Sequence, residues 1–212
     1  MITPVTVVLA IAGGLWGYVA DRIGARWPEH EDGSVRARDW RTLVVVLVSA
    51  GAYLLLTWRF SDPLVQVVFG AYIAALVLGF ATDLDQRLLP NLITYPLVPL
   101  ALVFSISGAN PMVPPGLVPI AAVAAILIPV ALFAFSIPFG AGAFGLGDVK
   151  LLVSVGLIAG PLRLFSGVVA GALLAGIVIV VLLVARRITL RDFIPYGPFL
   201  ILGALWTLLV TG

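Results

Sequence analysis

The sequence predicts an all-α, polytopic membrane protein with about eight transmembrane helices. Hydrophobic residues make up 62% of the 212 residues and charged residues only 10%, whereas soluble domains carry about 25% charged residues. The apolar residues form runs that can cross a hydrocarbon core of roughly 30 Å. Because an open sheet edge cannot face lipid, we expect these runs to be helices rather than strands.

Eight apolar runs are candidates for membrane helices, in one domain over residues 1–212. The first run lacks the positively charged start of a secretory signal peptide, so we interpret it as a retained helix. The sixth run is short for a full span and follows a glycine-rich, irregular segment at 136–147. Such backbone at membrane depth must be buried in protein or line a wet cavity. The predicted runs are 3–20, 42–58, 63–82, 92–107, 116–135, 149–160, 164–185 and 198–210.

The positions of lysine and arginine predict the orientation of these helices. If the N-terminus lies outside and the helices alternate, ten of the twelve basic residues fall on the inner side. By the positive-inside rule, that side is the cytoplasm. The same count places Asp83 and Asp148 at the cytoplasmic ends of the third and sixth helices, where they can meet. The two exceptions are Arg59 and Arg163.

The longest polar stretch, residues 22–41, holds five arginines and the only histidine, His30. We interpret it as a short, solvated cytoplasmic loop near anionic lipid headgroups. With one histidine and no cysteine in the chain, we expect no metal site. The net charge of +2 is too small to suggest a nucleic-acid partner.

The glycine-rich segment contains a weak nucleotide-binding pattern. Residues 140–145 read GAGAFG, which matches G-x-G-x-x-G. No strand-turn-helix unit surrounds the match, and no Gly-Lys-Ser/Thr follows it. We therefore expect no bound nucleotide.

Asp83 and Asp148 are the candidate catalytic residues. An acidic residue inside a membrane costs about 2.5–3.5 kcal/mol, so it usually marks a site or a partner. Two carboxylates at a partly dry site tend to share one proton. The ionised carboxylate can activate a water molecule, and the protonated one can hydrogen-bond a scissile carbonyl. Gly145 and Gly147 would permit tight turns and close approach of a substrate backbone.

Two other interpretations concern these acidic residues and their neighbour Asp85. Asp83 and Asp148 could form the ion path of an ion-coupled transporter. Against this alternative, the chain shows no paired repeat halves, and both residues sit near one membrane face. The neighbouring Asp85 is interpreted as a solvated residue at a helix end.

The motifs resemble a known family. The sequence Gly145-Leu146-Gly147-Asp148 is the GxGD signature of intramembrane aspartic peptidases, and residues 147–152, GDVKLL, resemble bacterial prepilin peptidases (type IV leader peptidases). Residues 83–91, DLDQRLLPN, are similar to that family's other aspartate motif and map its catalytic position to Asp83 rather than Asp85. Residues 194–199, IPYGPF, resemble the family's Pro-Phe-Gly-Pro entry into the last helix. Presenilin-like proteases share GxGD, but their Tyr-Asp and Pro-Ala-Leu motifs are not found.

The resemblance implies an aspartic endopeptidase that cleaves leader peptides from type IV prepilin-like or pseudopilin precursors. Cleavage would occur at the cytoplasmic face of a bacterial inner membrane, without a metal, nucleotide or other cofactor. Asp83 and Asp148 would form the catalytic dyad, and Gly145 and Gly147 would shape the cleft. Longer family members carry a cysteine-rich, zinc-binding domain and methylate the new N-terminus; the cysteine-free loop at 22–41 leads us to expect no methyltransferase activity. Residues that could support the site are Arg87, Pro90, Asn91 and Lys150.

Overall fold

The computed structural model of the protein describes residues 4–29, 33–139, 144–189 and 196–211. Within these ranges the regular structure is helical throughout, which confirms the predicted all-α fold. Five of the helical segments are long and apolar enough to cross a membrane. The helices are α1 (Pro4–Gly24), α2 (Trp40–Arg59), α3 (Pro63–Gln86), α4 (Asn91–Ile106), α5 (Val118–Ser136), α6 (Leu146–Ala159), α7 (Pro161–Val184) and α8 (Gly197–Leu209).

Parts of four sequence predictions lie outside the described residues. They are His30 in the polar loop, the glycines of the 140–143 segment, Arg191 in the charge count, and residues 194–195 of the motif before the last helix.

Helix α3 is the centre of the molecule. It packs against α1, α2, α4 and α8, and it is the most buried of the five long spans. Its Tyr72 is fully buried, and the Tyr72 hydroxyl forms a 2.7 Å hydrogen bond with the hydroxyl of Ser154 on α6. Polar pairs between membrane helices hold them in register. The two helices that carry the candidate carboxylates are therefore joined inside the core.

The C-terminal end of helix α6 is buried inside the protein. Its 14 residues span about 21 Å at the α-helical rise, short of the bilayer core. The carbonyls of a last helical turn lack partners in their own helix. Here Ser105 Oγ donates to the Leu157 carbonyl and Asn110 Nδ2 donates to the Ile158 carbonyl, each at 2.8 Å. These bonds satisfy the buried end of the short helix.

The C-terminal ends of α1 and α3 differ from the sequence prediction. Each helix continues four residues past the predicted end, so that Asp21 lies within α1 and Asp83 within α3. The apolar runs stop at these aspartates, but the helical backbone continues because its polar residues find partners on neighbouring segments. Arg87 ends α3 in the left-handed conformation with φ 56°, and its N–H donates to the Asp83 carbonyl at 3.0 Å.

Replacing Asn110 by alanine is expected to lower the free energy of unfolding by about 1–3 kcal/mol, because the buried Ile158 carbonyl loses its partner. Reversible unfolding in mixed SDS micelles measures the change. Ser136→Ala is the matched control, since among the described residues the Ser136 hydroxyl bonds to Phe133 of its own helix; we expect a change within about 0.5 kcal/mol. Equal stability of Asn110→Ala and wild type would show that this bond does not stabilise the end of α6.

Candidate active site

Asp83 is a buried carboxylate in the last turn of α3. Asp83 is 5% exposed, and its Oδ2 atom makes no hydrogen bond to any residue that the structure describes. Buried polar atoms normally have partners, so an unpartnered oxygen requires an explanation. Arg87, which ends the helix, lies close enough for its positive charge to act on Asp83. Asp83 therefore has an oxygen free to bond a substrate or a water.

Asp148 lies in the first turn of α6, as its third residue. The sequence prediction began this helix at residue 149, but the helix begins at Leu146. The Asp148 Oδ2 atom accepts a 2.9 Å hydrogen bond from the Gly145 N–H, as in a capping box. A helix N-terminus carries partial positive charge and favours a negative side chain. Both features favour the ionised form of Asp148, whereas burial of the carboxyl group opposes it.

The two aspartate motifs contact each other directly. A Cβ added to Gly147 would lie 3.0 Å from the Leu89 Cβ, so α6 approaches the α3–α4 connection at a position that suits glycine. Lys150 Nζ donates to Asn91 Oδ1 at 2.6 Å and lies 4.5 Å from the centre of the Tyr95 ring. The charge of Asp148 also acts on Asp83. The structure thus brings together the two carboxylates that the sequence placed on one side.

The N-terminus of α8 forms a third wall of the site. A Cβ added to Gly197, the first residue of α8, would overlap the Asp83 carboxylate and lie 2.8 Å from its Cγ atom. Tyr196, just before the helix, lies near Asp148: burial raises the pKa of its phenol, and the negative charge of Asp148 raises it further. Three helix ends, those of α3, α6 and α8, therefore meet around the two carboxylates.

Comparison with known proteins identifies a family that the chain matches. The model of the type IV leader peptidase family matches residues 70–184, more than half of the chain and including both carboxylates. The chain belongs to the type IV leader peptidase family. Two relatives from Aeromonas salmonicida, one of them from strain A449, carry the name prepilin leader peptidase/N-methyltransferase. Each is 34% identical over 131 residues, which are 61% of this chain and 44% of the relative.

The match covers less than half the length of these two leader peptidase relatives. No solved structure matches the chain significantly. Together, family membership and the five long apolar spans establish a multi-pass membrane protein of a peptidase family.

The other predicted site residues of this leader peptidase family member lie near the contact between the start of α6 and the α3–α4 connection. Pro90 is the residue before α4, and its carbonyl accepts the Ile93 N–H at 3.0 Å. Asn91 and Lys150 pair across α4 and α6, as described above. Gly145 caps α6 with φ −92°, a conformation open to any residue, and a Cβ there would make ordinary contact with Asp148 at 3.5 Å. Close packing therefore favours glycine at Gly147 but not at Gly145.

The interpretation of Asp85 as a solvated helix-end residue is wrong. The Asp85 side chain is 2% exposed, and its Oδ1 atom lies 2.8 Å from Arg36 Nε and 2.9 Å from Arg41 Nη1. Both arginines belong to the 22–41 stretch, whose described part therefore covers the end of α3. Most of the described residues 33–40 are exposed, but Arg36 and Arg41 hold this part of the stretch against the end of α3.

Sequence reasoning missed two residues near the site. Gly197 was noticed only as part of a motif that resembles the family, and its contact with Asp83 depends on a tertiary approach. Asp21, which is fully buried at the end of α1, carries the same sequence signal as Asp83: an acidic residue at the predicted cytoplasmic end of a membrane helix. Among the described residues, no cluster of three or more histidine or acidic side chains is arranged to hold a metal ion.

Proposed function

We propose that the protein is an intramembrane aspartic endopeptidase that removes leader peptides from type IV prepilin-like or pseudopilin precursors, with Asp83 and Asp148 as its dyad. The observation that carries the proposal is the buried Asp83 carboxylate, which has an oxygen without a hydrogen bond among the described residues and lies close enough to Asp148 to feel its charge, within the region that matches the family. Family membership favours this function over ion-coupled transport. Two relatives named as prepilin leader peptidases support the substrate class.

The surroundings of the two carboxylates suggest different roles for them. Asp148 is stabilised as an anion by the Gly145 N–H and by the N-terminus of α6. Asp83 lies at the C-terminal end of α3, where the helix dipole disfavours a negative charge. The shared proton therefore belongs on Asp83 in the resting enzyme, and Asp148 is the base.

In this mechanism, Asp148 takes a proton from a water whose oxygen attacks the scissile carbonyl carbon. Asp83 gives its proton to the carbonyl oxygen, which produces a neutral tetrahedral intermediate. The C–N bond then breaks as Asp148 passes its proton to the leaving nitrogen, and a hydroxyl proton returns to Asp83. While Asp83 is ionised, the N-terminus of α8 beside Gly197 stabilises its charge.

The site is proposed to face the cytoplasm of a bacterial cell, in the inner membrane, with the N-terminus of the chain outside. The ends of α1 and α3, the start of α6 and the arginines of the 22–41 loop share one side of the molecule. Arg59 lies at the other end of α2, where Nη2 donates to the Thr211 carbonyl at 3.1 Å. This asymmetry and the positive-inside rule support the orientation.

The names of the two relatives include an N-methyltransferase activity, which we do not extend to this chain. The chain has no cysteine, and its first cytoplasmic loop is short. The proposed activity is peptide-bond hydrolysis alone.

A cleavage assay tests this proposal. The purified protein is reconstituted in liposomes with a prepilin precursor encoded in the same genome and with a methyl donor. We expect mass spectrometry to show cleavage at the leader junction and an unmethylated new N-terminus. A precursor whose glycine before the cut is replaced should remain intact. An uncleaved natural precursor together with an ion flux through the liposomes would instead favour the transporter alternative.

A further inference from the structure

Arg36 joins two buried carboxylates from different helices. Its Nη2 atom donates to Oδ1 of Asp21, which is fully buried in the last turn of α1. Its Nε atom lies 2.8 Å from Asp85 Oδ1 in the last turn of α3. One guanidinium thus bridges the cytoplasmic ends of α1 and α3.

Further hydrogen bonds and ion pairs hold the Arg36 guanidinium and the two carboxylates in place. Arg22 and Thr42 also donate to Asp21, the threonine at 2.8 Å. Arg36 Nη1 pairs with Asp39 at 2.6 Å, and Arg41 provides Asp85 with a second cation. Burial of the Arg36 guanidinium opposes its charge, but the bonds and charge of Asp21 outweigh burial and raise its pKa above the ordinary value. Arg36 is therefore a permanent cation at this position.

The same region of the chain holds the α3 backbone beside Asp83. Gln86 Nε2 donates to the Pro28 carbonyl at 2.6 Å and to the Gly24 carbonyl at 3.3 Å. A Cβ added to Gly24 would lie 3.1 Å from the carbonyl carbon of Ala81. The end of α1 and the loop after it thus contact α3 at Ala81, before Asp83, and at Gln86, after it.

Such contacts matter because helix ends fray, whereas a catalytic group must be held within about 0.5 Å of its productive position. Asp83 lies in the final turn of its helix. Its free Oδ2 atom is not held by a hydrogen bond within the described part of the chain. The position of its carboxylate therefore depends on how firmly that last turn is fixed.

We propose that Arg36 is a positioning residue, which fixes the last turn of α3 through Asp85 and so holds Asp83 in place for hydrolysis. This inference rests on the proposed peptidase function. Within the described part of the chain, Arg36 bonds to neither Asp83 nor Asp148, and its partner on α3 is Asp85. Its loss should affect the chemical step rather than the binding of the precursor.

Arg36→Ala is expected to lower kcat by about 10- to 100-fold, the scale of a misplacement of roughly 1 Å, with KM within about two-fold of wild type. Arg36→Lys, which keeps the charge, should recover part of the loss. Arg38→Ala is the matched control on the same loop, since the Arg38 guanidinium bonds to the Tyr18 hydroxyl instead; its kcat should equal that of wild type.

Asp85→Asn provides a second variant that leaves the bridge between Arg36 and Asp21 intact. It should lower kcat by a similar factor, and it carries the test if Arg36→Ala fails to fold. If Arg36 acts through Asp85, the double variant that combines Arg36→Ala with Asp85→Asn should have a kcat close to that of either single variant. Independent, multiplying losses would overturn the proposed route through Asp85.

Amide hydrogen exchange of residues 81–86 gives a readout that does not depend on peptidase activity. We expect exchange at least about 10-fold faster in Arg36→Ala than in wild type or Arg38→Ala, because the last turn opens locally. If the wild-type protein cleaves no precursor while Arg36→Ala shows faster exchange, the proposed peptidase function is overturned. The conclusion that Arg36 fixes the last turn of α3 would still hold. A wild-type protein that cleaves normally, together with an Arg36→Ala variant of unchanged kcat and exchange, would overturn the inference.

Discussion

Replacing Asp148 by asparagine is expected to lower kcat for precursor cleavage by about 10³-fold or more. The asparagine can still accept the Gly145 N–H, so the capped start of α6 should persist. It cannot take a proton from water, and general base catalysis alone contributes about 10²–10⁴-fold. Single-turnover cleavage in liposomes measures the loss without interference from product release.

Asp83→Asn is expected to lose activity on the same scale for a different reason. The amide can still donate a hydrogen bond to the scissile carbonyl, but it cannot transfer a proton to it. Asp62→Asn is the matched control: Asp62 caps the far end of α3, and asparagine caps equally well. If either site variant elutes as a folded protein and retains full activity, Asp83 and Asp148 are not the dyad.

The order and span of the helices could be predicted because the bilayer fixes the length of each apolar run. The two largest differences, each of four residues at the ends of α1 and α3, have one cause. A hydropathy pattern ends a helix at its first charged residue, but Asp21 is paired with Arg22 and Arg36, and the helix continues past it. Arg22 is the next residue of the same helix, but Arg36 lies on the polar loop 15 residues away, so no local pattern shows this second partner.

The candidate site was predictable in part. The charge count placed Asp83 and Asp148 on one side, and the structure brings them together. The role of Gly197 was not predictable, because a glycine at the start of a helix has many explanations. Only the approach of α8 to α3 shows that a side chain there would meet Asp83. The pairing of Asp85 was missed because its partners are distant in sequence: Arg36 lies before α2, and Arg41 lies in its first turn.

Gly197→Ala is expected to lower kcat by about 10²-fold, comparable to a misplacement of roughly 1 Å in a catalytic group. The added methyl would overlap the Asp83 carboxylate, whose side chain can turn away without disturbing the backbone. Loss of activity with little loss of stability is therefore expected. Helix propensity cannot account for that loss, since alanine favours a helix more than glycine does. Cleavage kinetics and thermal unfolding of the same preparation measure the two effects.

Two other glycines separate an effect at the site from an effect on packing. A Cβ on Gly176 of α7 meets nothing within 4 Å, so Gly176→Ala should leave activity unchanged. A Cβ on Gly171 would lie 2.6 Å from the Phe199 carbonyl oxygen of α8, where neither backbone can turn away. Gly171→Ala should therefore reduce stability, and activity only in proportion to the folded fraction. A Gly197→Ala variant that follows this second pattern would show that α8 supports the fold without confining the Asp83 carboxylate.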